Sequence, residues 1–138
     1  GFNIIHAVGQ NNELPKSRPG YAPLSYITNM ADMYIASDLV ISRGGAVTCA
    51  ELDMANSFAL IVPLPIGNGE QLANAQDLVD KGAAKICLNS EFTADWLLAN
   101  IDSLASAADS WNIKRVQNSK PRAAEIIGKS ILEKLKVN

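Results

Sequence analysis

The residues of this chain best suited to chemistry lie between Asp38 and Glu51, in the run DLVISRGGAVTCAE. Leu39, Val40 and Ile41 read as a short buried strand, Gly44 and Gly45 as a turn, and the segment from Ala46 as the start of a helix. A strand, a glycine turn and a helix N-terminus make a site for an anion. Backbone N–H groups without intrahelical acceptors converge there with the positive end of the helix dipole. Glycine at both turn positions is expected to let the backbone approach a ligand and to take positive φ without strain. Glu51 stands on the same helix. Helical side chains lean toward the helix N-terminus, which directs its carboxylate back toward the anion site. A carboxylate is repelled by a phosphate, so its fitting partner is a hydroxyl pair such as that of a ribose. The unit reads as a clamp for a sugar nucleotide. Each half has an ordinary alternative: paired glycines turn the chain in many α/β proteins, and a lone helix glutamate is usually a solvated charge. The spacing of the two favours the clamp.

The elements that must hold this clamp alternate along the chain. Phe2, Ile4, Ile5, Ala7 and Val8 predict a first strand, and Gly9 to Gly20 an exposed loop in which Lys16 and Arg18 are either solvated charges or cations within reach of an anion. Leu24 to Ile27 predicts a second strand. Thr28 or Asn29 then caps a helix over Met30 to Ser37, with Met30, Met33 and Tyr34 on its buried side. Helix 46–55 ends at the Asn56-Ser57 turn, and Phe58 to Val62 is an apolar run suited to a strand buried on both faces. Pro63 and Pro65 stop it. A helix follows from Glu70 to Lys81 with Leu72, Ala75, Leu78 and Val79 as its inner stripe, and Gly82 closes it. Ala83 to Leu88 is the next strand. Thr93 caps a helix with Trp96, Leu97, Ile101 and Leu104 facing inward and Phe92 and Leu97 as a hydrophobic staple. Asn112 to Asn118 reads as irregular or weakly helical. Pro121 opens a last helix striped by Ala124, Ile127, Ile131 and Leu135.

This order predicts an α/β fold: an open parallel Rossmann-like sheet with helices on both faces. Ligands of such sheets bind beyond the carboxyl ends of the strands. That rule independently selects the loops after Val8, Ile41 and Val62.

The 138 residues suit one domain with its own core. Twelve basic against fourteen acidic residues, interspersed, give a net charge of −2 and argue against a nucleic-acid binder with a broad basic face. No apolar run approaches the roughly 20 residues that span a bilayer, and no signal peptide is visible. One histidine and two distant cysteines, Cys49 and Cys87, argue against a zinc site. The cysteines read as buried hydrophobes in a reducing compartment. The absence of an initiating Met and the strand at residue 1 give the expectation of a piece cut from something longer.

Several stretches in register resemble one family. Ala36-Ser37-Asp38, Ile41, Arg43, Gly45-Ala46, Thr48 and Glu51 are similar to the donor-site signature of the MurG family, the lipid-linked N-acetylglucosaminyltransferases of bacterial peptidoglycan synthesis (glycosyltransferase family 28). His6-Ala7-Val8-Gly9, Tyr26-Ile27 with Met30-Ala31, Val62-Pro63-Leu64-Pro65, Gln71-Leu72-Ala73-Asn74-Ala75 and Gly82-Ala83-Ala84 resemble further pieces in the same order. The resemblance spans nearly the whole chain and is firmest over residues 24–86.

The resemblance implies the two-domain GT-B architecture. Residues 1–138 would be a single donor-nucleotide-binding domain, a fragment lacking the N-terminal acceptor domain and the first strand and glycine loop of its own domain. It implies transfer of GlcNAc from UDP-GlcNAc to lipid I with inversion, giving lipid II in cell wall biogenesis, with no metal and no cofactor. It implies a full-length protein that is cytoplasmic, peripheral on the inner face of the cell membrane, and that meets lipid I through the acceptor domain. Carried over residue by residue, Ile27 holds uracil through its backbone with Tyr26 beside it, and Glu51 binds the ribose hydroxyls. Gly45, Ala46, Val47 and Thr48 present amides to the diphosphate and sugar, and Gln71 meets the GlcNAc hydroxyls. Arg43 is open between the phosphates and a structural pair with a carboxylate, and His6 reads as a satisfied strand-end histidine rather than a catalytic group. Glu70 departs from the pattern, standing where the family usually carries His or Gln. No residue here reads as the catalytic base, which the resemblance places in the acceptor domain, so the chain alone is expected to be inactive. Two other readings stand beside this one: a donor-binding subunit of a two-piece lipid-linked transferase, and a non-enzymatic nucleotide-binding module of flavodoxin-like shape.

Overall fold

The computed structural model describes residues 1–118. Contacts divide the chain into two compact units, one of Gly1–Ala36 and one beginning at Ser37.

The first unit holds β1 (Ile4–Ala7), β2 (Tyr21–Leu24) and α1 (Met30–Ala36). The strands pair in parallel, Ile4 opposite Tyr21 and Ala7 opposite Leu24. The second strand therefore lies three residues earlier than the apolar Leu24–Ile27 run suggests. Pro23 makes the earlier placement look forbidden, since proline has no N–H for a ladder. Yet the carbonyls of Gly20 and Leu24 accept from Ile4 and Val8 at 2.8 Å each. By alternation the nitrogen of Pro23 faces away from β1, where no donor is required. Asn29 caps α1 reciprocally. Its Oδ1 accepts the Asp32 N–H at 3.2 Å, and its Nδ2 donates to the Asp32 carboxylate at 2.6 Å. Tyr34 is buried and Met33 half-buried, whereas Met30 is exposed at the helix start. Arg18 is not a free loop charge: its guanidinium lies 4.9 Å from the centre of the Tyr21 ring.

The second unit is a parallel three-stranded sheet in the order β3 (Val40–Ser42), β4 (Ala59–Ile61), β5 (Ala84–Ile86). The crossovers are α2 (Ala46–Ala55) and α3 (Glu70–Asp80), and α4 (Ala94–Asn118) follows β5. Helix α2 stops where Asn56 takes the left-handed conformation (φ 52°) and Ser57 N–H bonds back to Leu52. Helix α3 stops at Gly82, whose φ of +77° only glycine adopts cheaply. The Gly82 and Ala83 amides close the last turn on Val79 and Leu78.

Phe58 to Val62 are all buried, as expected of a middle strand covered on both faces. On one face Leu60, Val62 and Cys87 meet Leu104 of α4, with Leu39, Phe92, Trp96 and Leu97 around them. Ala59 and Ile61 point the other way by alternation. There α2 packs beside α3, with Leu52, Ala75 and Leu78 buried. The Thr93 hydroxyl accepts the Trp96 N–H at 3.1 Å, capping α4 as expected.

Ile41, read as part of a buried strand, is 42 % exposed. Leu72 is 42 % exposed, because the first turn of α3 overhangs the strand ends and turns Gln71 inward instead. Residues 112–118, read as irregular or weakly helical, are helical: α4 continues to Asn118. Its stripe carries on through buried Ala108, and Trp111 Nε1 donates to Asn56 O at 3.0 Å while Asn112 Nδ2 donates to Asp38 O at 3.3 Å. These tertiary anchors hold a segment whose own propensity is weak. The helix expected from Pro121 lies outside the described residues.

Burial pushes the thiols of Cys49 and Cys87 above their ordinary range, with the Glu91 carboxylate adding to the effect at Cys87. Since the thiolate is the reactive form, neither is expected to react with a disulfide reagent at pH 8 until the protein unfolds in urea. Absorbance of the released thiol, followed against urea concentration, checks this.

Candidate donor-binding edge of the second sheet

The carboxyl ends of β3, β4 and β5 form one edge, and the loops leaving it are tied together by side chains. Gln71, in the first turn of α3, uses one oxygen twice: Oε1 accepts the Gly44 N–H at 3.2 Å and the Leu64 N–H at 2.9 Å. Asn74, one turn on, donates from Nδ2 to the Gly44 carbonyl at 3.1 Å. Arg43 Nη1 donates to Val62 O at 3.0 Å and to Asn89 Oδ1 at 2.6 Å, so the three loops beyond β3, β4 and β5 are joined.

Gly45 is the N-cap of α2 with φ −63° and ψ 144°, an extended conformation open to any residue. Gly44 is not at positive φ either, so the turn does not need glycine for the reason expected. The close approach is real, but it is to the protein itself. A Cβ on Gly44 would overlap the main-chain carbonyl of Gln71. Gly44→Ala is therefore expected to push α3 off the loop and cost about 1–3 kcal/mol, the range for an overpacked contact. A lowered urea midpoint at constant slope checks it.

Beyond Gly45, no side chain caps α2, and no acidic residue occupies its first turn. The Cys49 N–H makes the first intrahelical bond, to Gly45 O at 2.9 Å. The amides of Ala46, Val47 and Thr48 precede it and have no acceptor within the helix. Ala46 is exposed, Val47 is 71 % exposed and Thr48 half-buried, so these amides sit at an accessible surface. Glu51 is half-buried, one turn further along the same helix. Arg43, Gly45, Ala46, Val47, Thr48, Glu51 and Gln71 thus lie on adjoining segments at this edge. The partners of Arg43 named above are a carbonyl and an amide rather than a carboxylate. Glu70 is exposed at the start of α3.

Tyr26 and Ile27 belong to the first unit, in the segment between β2 and α1. Tyr26 is exposed and Ile27 half-buried. His6, in β1, shares a hydrogen bond of 2.8 Å between its Nδ1 and the Tyr21 hydroxyl, the satisfied strand-end state expected of it.

Sequence reasoning missed the loop-tying roles of Asn74 and Asn89. A signal for Asn74 was present: Gln71 and Asn74 stand three apart on one helical face, polar at the end nearest the strand tips. Asn89 carried none, since its partner is 46 positions away in the chain.

Residues 1–129 match the model of the glycosyltransferase family 28 C-terminal domain. The chain belongs to that family. Among its relatives, the UDP-N-acetylglucosamine–N-acetylmuramyl-(pentapeptide) pyrophosphoryl-undecaprenol N-acetylglucosamine transferase of Corynebacterium glutamicum strain R is 47% identical over 105 residues, 75% of this chain and 30% of that protein. The protein of the same name from Streptomyces coelicolor is 44% identical over 106 residues, covering 73% and 29%. This family 28 chain therefore spans about a third of the length of the curated relatives it matches.

Its structure is similar to the crystal structure of Acinetobacter baumannii MurG, with a TM-score of 0.61 and 35% identity over 82% of this chain and 35% of that one. A glycotransferase of kitacinnamycin shares the fold at a TM-score of 0.58 and 20% identity, over 91% and 34%. The α/β architecture, parallel strands joined through helices, is that of the GT-B glycosyltransferases, as the family resemblance implied.

Proposed function

We propose that this chain is the UDP-GlcNAc-binding part of an inverting N-acetylglucosaminyltransferase that converts lipid I to lipid II in peptidoglycan synthesis. The observation that carries the reading is the family 28 match over residues 1–129, and it is supported by the names of the relatives above. The site chemistry agrees. The amides of Ala46, Val47 and Thr48 are donors aimed at one place, and Glu51 is an acceptor one turn behind them. A diphosphate needs the first and a ribose the second. Gly45 lets the chain enter the helix without a side chain over those amides. Tyr26 and Ile27 take the uracil, Ile27 through its backbone. Gln71 offers its amide NH2 to the GlcNAc hydroxyls, its oxygen being held by Gly44 and Leu64. Arg43 braces the loops.

In the transfer, the muramyl 4-hydroxyl of undecaprenyl-diphospho-muramyl-pentapeptide attacks the anomeric carbon of GlcNAc from the face opposite the leaving group. The bond to UDP breaks and its electron pair remains on the diphosphate. The N-terminus of α2 stabilises the charge that accumulates there, an interaction that strengthens as the bond opens. The base that accepts the hydroxyl proton belongs to the acceptor half of a two-lobed protein, of which this chain is the donor half. That protein works in the cytoplasm, peripheral on the inner face of the membrane that holds its acceptor. No helix among the described residues is long and apolar enough to cross a membrane.

Calorimetric titration of the chain with UDP, UDP-GlcNAc and FMN tests the reading. Binding of the two uridine nucleotides without FMN is expected. A preference for FMN with no uridine binding overturns it in favour of a flavodoxin-like module. Incubated alone with UDP-GlcNAc and a lipid I analogue, the chain is expected to form no lipid II; product formation would place a base within these residues.

A further inference from the structure

We propose that Asn74 and Gln71 are positioning residues for the diphosphate, holding the two peptide groups that flank the Gly44 Cα, one by its N–H and the next by its carbonyl, so that the free amides of α2 keep one direction. This rests on the donor-binding reading above. Gly44 N–H is bound by Gln71 Oε1 and Gly44 C=O by Asn74 Nδ2, from two successive turns of α3. The same Gln71 oxygen takes the Leu64 N–H, so the loop after β4 is held by the atom that holds the loop after β3. The side chains reach because Gly44 has no Cβ: the Gln71 carbonyl fills that place. Gly44 is buried and immediately precedes the N-cap of α2. Rotation of the Gly44–Gly45 peptide plane, whose carbonyl Asn74 holds, would swing Gly45 and with it the amides of Ala46, Val47 and Thr48. Electrostatic stabilisation by backbone donors depends on their being fixed beforehand, and a misplacement of about 1 Å costs much of it. With the preceding peptide held by its N–H and the following one by its carbonyl, both planes that meet at Gly44 are fixed.

Gln71 holds Gly44 with its oxygen while its NH2 meets the sugar, whereas Asn74 acts through Gly44, so Asn74 is the residue that separates positioning from sugar binding. Losing a positioning residue weakens UDP itself, whereas losing a sugar contact weakens UDP-GlcNAc alone. UDP binding by the unsubstituted chain is measured first. Its absence overturns the nucleotide reading and this proposal with it. Asn74→Ala is then expected to lower affinity for UDP and UDP-GlcNAc by the same factor, about tenfold for one lost hydrogen bond that leaves a carbonyl unpaired. Gln71→Ala is expected to lower UDP affinity at least as much. Amide exchange by NMR supplies a readout without ligand. Gly44 N–H exchanges slowly in the unsubstituted chain and quickly in Gln71→Ala. Gln71→Glu keeps an acceptor for both amides and retains the protection. If either alanine variant does not fold, Asn74→Asp is the substitute: the same shape with the donor removed, expected to weaken both nucleotides. UDP affinity unchanged in Asn74→Asp or Asn74→Ala, or a loss confined to UDP-GlcNAc, overturns the positioning role while leaving the nucleotide reading intact.

Discussion

Replacing Glu51 by alanine lowers the affinity for UDP by about ten- to a hundredfold, the range for removing hydrogen bonds to a charged group worth about 1.5–3 kcal/mol. A carboxylate accepts and never donates, and vicinal ribose hydroxyls supply two donors. One turn into α2, a glutamate reaches back along the helix, near enough for the ribose and set back from the diphosphate at the helix end. The nucleotide gives the control. A 2′,3′-dideoxyuridine diphosphate lacks both hydroxyls, so the unsubstituted protein is expected to bind it about as weakly as Glu51→Ala binds UDP, and the substitution to change its affinity little. Glu51→Gln keeps one acceptor oxygen without the charge and falls between. Calorimetry on a two-lobed protein containing this chain measures all four. Alanine is the best helix former, so α2 itself is not expected to unravel. Equal loss for UDP and the dideoxy nucleotide would remove the ribose role and leave Glu51 a structural residue of α2.

That prediction was readable from the order of residues alone, and the reason is local. Strand, glycine, helix and a glutamate one turn in are contiguous, and their geometry follows from helical periodicity and chain direction. The α/β class was legible for the same reason: apolar runs of strand length alternate with helical stripes, each closed by its own signal, Asn56 for α2 and Gly82 for α3. What failed or stayed open was set by contacts distant in the chain. Helix α4 runs through Asn112 because Asp38 and Asn56 accept from its side chains. Leu72 lies outside because Gln71 is drawn in by two amides of other loops. Pro23 lies within a strand because the paired edge leaves its nitrogen unasked for. Gly44 was singled out for the right property, absence of a side chain, and the wrong neighbour: the backbone it admits is that of α3 rather than a ligand's. A pattern of single residues carries periodicity. It does not carry the identity of a partner tens of positions away.

Leu60→Ala is expected to have the largest effect on stability, about 2–5 kcal/mol, the span for truncating a fully buried leucine. Leu60 is wholly inaccessible at the centre of β4, the middle strand, and packs with Val62, Cys87 and Leu104 beneath Phe92, Trp96 and Leu97. The strand cannot settle into the vacated space, because hydrogen bonds to β3 and β5 hold it from both sides. Helix α4 cannot settle freely either, being tied at Trp111 and Asn112 to Asn56 and Asp38. Collapse is what lowers the cost of a cavity, so the value is expected in the upper part of the range. Met54→Ala, on the 87 % exposed side chain of α2, is the comparison and should stay within about 0.5 kcal/mol. Urea unfolding of both, with slopes held equal, gives the difference. UDP affinity of the folded Leu60→Ala protein should be unchanged: Arg43 meets the Val62 carbonyl, and Val62 keeps its own bond, N–H to Ser42 O at 2.8 Å. A loss below about 1 kcal/mol would mean that α4 does not cover this face of the sheet, since an uncovered leucine on a strand has little burial to forfeit.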